Sequence, residues 1–153
     1  MTDDEKRVHA NGVSDPQRPP KSGKTGFETL RYEENTVIFE EGEPGDAAYL
    51  IVRGQVEIRK GTRSSNPQTL AMLSKNDIFG EMALFDDSPR MAEAIAHTRV
   101  EVITIGREEF NRRLETVDPV IRTISVYLVG RVRHMANEFM KRKDPNWASW
   151  KKE

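Results

Sequence analysis

The chain has 153 residues, 36% hydrophobic and 32% charged, with 24 Lys and Arg against 25 Asp and Glu for a net charge of −1. That length suits one domain, and the balanced charge does not indicate a strongly basic nucleic-acid binder. The absence of cysteine excludes disulfides, thiolate catalysis and Cys-based zinc sites, and no apolar run approaches the roughly 20 residues that span a bilayer.

Residues 1–26 read as a polar tail. They carry Pro16, Pro19, Pro20, Gly12, Gly23 and Gly26, and their only apolar residues are Met1, Val8, Ala10 and Val13. Such a stretch buries too little surface to offset the entropy of ordering it. It is also too polar for a signal peptide, so a soluble, cytoplasmic protein is expected. Ser22-Gly23-Lys24-Thr25 looks like the end of a phosphate-binding P-loop, but Arg18 stands where that motif needs its first glycine.

From Phe27 the pattern changes. Val37–Phe39, Tyr49–Val52, Val56–Ile58, Thr69–Leu73 and Val100–Ile105 are short runs rich in β-branched and aromatic residues. Turn formers separate them, among them Glu41–Asp46, Ser64–Pro67 and Lys75–Asp77. Strands at this spacing suggest an antiparallel barrel or sandwich. Gly54 falls between two strand runs, where a hairpin turn needs a positive φ.

After Ile105 the period lengthens. Phe110 and Leu114 are four apart in a short helical stretch. Asp118-Pro119 then supplies an N-cap and a proline at the first helical position. Ile121, Ile124, Leu128, Val132, Met135 and Phe139 follow at steps of three and four, one apolar stripe on a helix of about 25 residues. Lys141-Arg142-Lys143 suits its negative end, and Asp144-Pro145 stops it. The stripe is open to two readings, burial on the chain's own barrel or sharing in a parallel dimer. Residues 27–119 hold 11 basic and 18 acidic residues, residues 120–153 hold 8 and 3. The plainer expectation is a basic helix lying on an acidic barrel, the sharper one a patch for an acidic partner.

His9, His97 and His134 show no metal-ligand spacing, so a metal enzyme is not expected. No nucleophile elbow is visible. The informative segment is residues 79–94, FGEMALFDDSPRMAEA. Phe79-Gly80-Glu81 follows a turn, and Met82–Phe85 has the composition of a single helical turn whose first amides converge on one place. Arg90 precedes a strand with Ala92, Ala94 and Ala96 on one face, which leaves room beside it. A guanidinium there can hold a phosphate by two charge-assisted bonds, and Glu81 offers an acceptor for a ribose hydroxyl. The plainer reading of Arg90 alone is a surface ion pair with Asp86 or Asp87.

Taken together, this stretch resembles the phosphate-binding cassette of the cyclic nucleotide-binding domain family. Val37–Gly42 with Gly45-Asp46, and Tyr49–Ile51 with Gly54, resemble that family's early strands and turns. The similarity covers about residues 27–140. It implies an eight-stranded antiparallel jelly-roll barrel followed by a long C-terminal α-helix. It further implies that Arg90 binds the cyclic phosphate and Glu81 the ribose 2′-hydroxyl, while the backbone of Gly80, Met82, Ala83, Met91 and Ala92 lines the site. Members that favour cGMP often carry Thr directly after the arginine; Met91 stands there, which favours cAMP. Glu93 stands where many members have Ser or Thr; pointing inward it would repel a phosphate. Ala136 and Asn137 fall where the long helix of a relative meets the adenine. Trp147 and Trp150 could stack on the base as a lid or cover an apolar patch.

The expected organisation is a tail at 1–26, a barrel at 27–117, a helix at 118–143 and a short tail at 144–153. Too few residues follow Lys143 for a helix-turn-helix domain, so a stand-alone sensor or a fragment is expected, with no DNA-binding domain and no membrane segment. The functional expectation is a non-enzymatic cAMP sensor that needs no metal, repositions its C-terminal helix, and acts on a protein partner not identified or as a homodimer through that helix. The alternatives are a cGMP-preferring binder and a protein-interaction module that binds no nucleotide.

Overall fold

The computed structural model describes residues 27–149. The N-terminal tail, its P-loop-like tetrapeptide and Trp150 lie outside the described residues. Among the described residues eight strands form: β1 Phe27–Tyr32, β2 Val37–Phe39, β3 Ala47–Arg53, β4 Val56–Lys60, β5 Gln68–Leu73, β6 Ile78–Phe79, β7 Glu93–Ala96 and β8 Val100–Gly106. Three helices accompany them there: α1 Met82–Phe85 between β6 and β7, then α2 Arg107–Leu114 and α3 Pro119–Lys143 after β8.

The strands make two antiparallel four-stranded sheets, ordered β1-β8-β3-β6 and β2-β7-β4-β5. The strand number is the expected one, but no strand pairing joins the two sheets into a closed barrel among the described residues. The strands that could bridge them are too short: β6 has two residues and β2 has three. Strict alternation drives the central strand β8, where Val100, Val102, Thr104 and Gly106 are buried and the residues between them only partly so. Inward residues of both sheets meet in one core, including Tyr32, Phe39, Tyr49, Ile51, Val56, Phe79, Ala94, Val100 and Val102. Each large apolar side chain buried there contributes about 1.5–3 kcal/mol. Gly54 turns the β3–β4 hairpin at φ 87°.

β1 is a strand that the apolar pattern does not announce. Its inward positions are Glu28, Leu30 and Tyr32, and Phe27 faces solvent. It is held by register with β8, from Phe27 opposite Ile105 to Tyr32 opposite Val100.

The long helix begins as expected. The Asp118 carboxylate accepts from the Val120 amide at 2.8 Å, and Pro119 opens the first turn. Its apolar stripe does not lie on the barrel. Leu128 is 52% exposed, and Ile121, Ile124, Val132, Met135 and Phe139 are exposed with it. The face with the most burial is instead Ser125, Val129, Arg133, Asn137 and Met140. That face is narrow and mostly polar. It is tied down by a bidentate pair from Arg133 to Asp86, both bonds 3.0 Å, and by the fully buried Met140. The expectation of a stripe buried on its own barrel is therefore overturned. The basic helix also does not lie broadly on barrel carboxylates: among the described residues, Arg133 alone of its basic side chains makes such a pair.

Candidate functional site

Arg90 sits at the end of the loop between α1 and β7, and it is 5% exposed. Its backbone is pinned to the turn after β2: the Gly42 amide donates to the Arg90 carbonyl, and the Arg90 amide donates to the Glu43 carbonyl, both at 2.8 Å. The guanidinium lies 4.1 Å above the Phe39 ring centroid and 5.8 Å from that of Tyr49. These rings form an aromatic floor with Phe79, which stacks on Tyr49 at 4.9 Å. Nη1 donates to the Gly80 carbonyl at 2.7 Å and Nη2 to the Ala47 carbonyl at 2.8 Å. Nε is buried and has no hydrogen-bond partner among the described residues. The surface ion pair with Asp86 or Asp87 is not formed. Asp86 binds Arg133, and Asp87 lies 3.5 Å from Arg107.

Burial pushes the Arg90 guanidinium down from its ordinary range, while Tyr49, Asp46 and Glu43 push the other way. Arginine stays charged across all accessible pH. The result is a buried cation held by neutral carbonyls, with no carboxylate in ion-pairing range among the described residues. Burial also pushes up the Tyr49 and Tyr32 phenols, so both are neutral near pH 7. Gly80 is what lets the guanidinium in. It adopts φ 75°, and a Cβ there would stand 2.7 Å from Arg90 Nη1.

A cleft of about 220 Å³ opens beside this arginine. Gly80, Glu81, Met82, Ala83, Arg90, Met91 and Ala92 all line it, with Ile58 and Leu73 on an apolar wall. The Glu81 carboxylate is half-buried and makes no hydrogen bond or ion pair among the described residues. The first turn of α1 has no side-chain cap, and within it the Leu84 amide donates to the Glu81 carbonyl at 3.0 Å. Asn137 is not in this cleft. It lines an adjoining one of about 450 Å³ with Lys60, Ser88, Arg90, Met91 and Arg133. Glu93 resolves simply: it is buried and paired with Arg59 at 2.7 Å, and it lines neither cleft. Trp147 is buried against Lys60 and lines neither cleft.

Two arginines escaped the sequence reading. Arg133 lines both clefts and donates to the Pro89 carbonyl at 2.9 Å as well as to Asp86. Its signal was the four-residue step to Val129 and Asn137 on one helix face. Arg107 donates to the Gly45 and Ala83 carbonyls and so ties α2 to α1. Its place right after β8 gave no comparable signal.

Comparison with known proteins agrees with this arrangement. The family model for the cyclic nucleotide-binding domain matches residues 29–117. A cAMP-dependent protein kinase regulatory subunit of Pyricularia oryzae is 38% identical over 96 residues, 63% of this chain and 24% of that protein. A cyclic AMP receptor protein of Thermus thermophilus is 30% identical over 107 residues, 70% of this chain and 50% of that protein. The chain thus spans a quarter to a half of the length of these relatives. Among solved structures, the cAMP-bound form of the EAL enzyme Bd1971 superposes with a TM-score of 0.66 at 29% identity, covering 82% of this chain and 34% of that one. With its family model matched over more than half its length, this chain belongs to the cyclic nucleotide-binding domain family.

Proposed function

We propose that this domain is a non-enzymatic sensor of cAMP. The observation that carries the reading is the buried Arg90 cation, which has an unpaired Nε and no carboxylate partner, beside an open cleft. An anion is the group that such a site lacks. The cyclic phosphate would meet Arg90 and the backbone of Gly80, Met82, Ala83, Met91 and Ala92. The ribose 2′-hydroxyl would meet Glu81. The base would extend past Met91 toward Asn137 in the adjoining cleft. Met91 brings no hydroxyl to a guanine, which favours cAMP over cGMP. The strand order of the two sheets supports the jelly-roll reading.

The alternative of an interaction module without nucleotide draws on Glu93 and on the basic C-terminal helix, and the Arg59–Glu93 pair speaks against the first of these. The exposed stripe on α3 supports a second element of the reading: a homodimer formed through that helix, which occupancy of the cassette repositions. No helix among the described residues is long and apolar enough to cross a membrane, which suits a cytoplasmic sensor. Calorimetric titration with cAMP and cGMP tests the reading. Saturable binding with cAMP preferred is expected, and heat from neither nucleotide would overturn it. Sedimentation of the wild type against Leu128→Glu tests the dimer. A wild type that is monomeric at high concentration would remove it.

A further inference from the structure

A second buried cation lies on the far side of the cassette. Lys60, the last residue of β4, is 1% exposed, and its partner Glu41 is 2% exposed. Two charges taken out of water are tolerated only where geometry and further hydrogen bonds compensate them. Here they do. Lys60 Nζ lies 3.3 Å from Glu41 Oε1 and also donates to the Met91 carbonyl. Glu41 Oε2 accepts from the Gly61 amide at 2.8 Å. The Trp147 ring, 3% exposed, covers the ammonium at 4.7 Å.

Three segments distant in sequence thus converge on one ammonium: the turn after β2, the cassette and the turn after α3. The last of these is fastened at further points. Met140 is fully buried with its Cε against Gly61, and Asp144 Oδ2 accepts from Ser65 Oγ at 3.4 Å. The grip on the cassette falls next to the key arginine. Arg90 is held from one side by Gly42 and Glu43, and Met91 from the other by Lys60. Lys60 also borders the adjoining cleft, whereas Glu41 and the buried indole line neither cleft.

We propose that Lys60 is a positioning residue for the cassette and that Trp147 is the latch that holds it, so that docking of the turn after α3 sets the Arg90–Met91 backbone and, with it, nucleotide affinity. This rests on the cyclic-nucleotide reading above. By linkage, nucleotide binding tightens the latch by the same factor that the latch tightens binding. The device gives the end of the long helix a route to the phosphate site that does not pass through the exposed stripe.

The test is a double-mutant cycle on the full chain, read by cAMP titration. Trp147→Leu and Lys60→Met should each weaken cAMP binding about tenfold. The double variant should be no weaker than Lys60→Met alone, because Trp147 acts through Lys60. Trp147→Phe should restore most of the affinity. Wild-type affinity in both single variants, or losses that simply multiply, would overturn the latch and leave the cAMP reading standing. Trp147→Leu removes no charge and serves alone if Lys60→Met does not fold. Hydrogen exchange without ligand gives an independent arm. The Gly42 and Arg90 amides should exchange faster in Trp147→Leu than in a Val100→Ala control of equal melting temperature. Equal exchange in the two overturns the proposal even if the wild type binds no nucleotide, the outcome that would instead sink the functional reading.

Discussion

Arg90 and Lys60 are both buried cations that touch the same short loop, and their surroundings are opposite. Lys60 has its own carboxylate, a backbone carbonyl and an indole. Arg90 has two backbone carbonyls, aromatic faces and a nitrogen with no partner. The first is electrostatically complete and holds the structure together. The second is incomplete and adjoins a cleft. Burial alone therefore does not separate a structural cation from a binding one; the missing counter-charge does. Changes centred on four residues, Lys60, Arg90, Glu81 and Asn137, break or sharpen that contrast.

The largest effect belongs to Lys60. Removing one member of a buried pair strands the other, at a cost of about 3–5 kcal/mol. Lys60→Met should lower stability by that amount in denaturant titration. Replacing both charges, as Glu41→Leu with Lys60→Met, should recover most of the stability, since an apolar pair avoids the desolvation cost. It should not recover cAMP affinity, because the Met91 carbonyl still lacks its donor.

Arg90→Ala should do the reverse. Losing charge-assisted bonds to a phosphate, each worth about 1.5–3 kcal/mol, should weaken cAMP binding at least about a hundredfold. The melting temperature of the unliganded protein should change little, because the loss of two carbonyl bonds is set against relief of an unpaired buried charge. A variant that keeps wild-type affinity would remove Arg90 from the site. A large drop in stability with little change in affinity would make it another Lys60.

The contrast between the two cations also marks what the sequence could reveal. Arg90 was legible because its neighbours are distinctive: Gly80 and Glu81 ten and nine residues earlier, Pro89 before it, alternating alanines after it. These are local patterns, and most of the strands and the long helix were legible for the same reason. Lys60 was not. Its partners are 19, 31 and 87 residues away in the chain, and nothing near Arg59-Lys60-Gly61 signals a buried ammonium. The stripe on α3 shows a different limit. Its period was read correctly, but period alone does not say which face meets the barrel, and Arg133 with Met140 decided that. β1 carries no apolar signal of its own, because Glu28 takes an inward position and Phe27 an outward one.

A smaller effect is expected at Glu81. Its carboxylate is half-buried and makes no hydrogen bond or ion pair among the described residues, the anionic counterpart of the unfinished Arg90. A buried acceptor deprived of its donor costs about 1–3 kcal/mol. The 2′-deoxy analogue of cAMP should bind roughly five- to a hundredfold more weakly than cAMP, and Glu81→Ala should abolish most of that difference. Equal binding of the two nucleotides by the wild type would show that Glu81 does not read the ribose.

The smallest effect concerns the base. Phosphate and ribose occupy the polar groups of the first cleft, whose remaining wall at Ile58 and Leu73 is apolar. Those side chains can pack on a purine but cannot tell adenine from guanine. Discrimination needs a donor and an acceptor, and the Asn137 amide has both. It lies in the adjoining cleft, which shares Arg90, Met91 and Arg133 with the first. Of the three residues that line both clefts, Arg133 is the one on the long helix, and its side chain is locked to Asp86 and the Pro89 carbonyl. A base reaching Asn137 must pass this side chain, so its bonds compete with base recognition and the net preference is modest. Asn137→Ala should therefore reduce the cAMP-over-cGMP affinity ratio only severalfold, with affinity for the sugar-phosphate portion unchanged. Asp86→Asn, which loosens Arg133, should enlarge the ratio in the wild-type background and leave it unchanged in Asn137→Ala. If the ratio ignores both substitutions, the base is read from the barrel, and the long helix senses the cassette through Arg133 and the Lys60–Trp147 contact without touching the nucleotide.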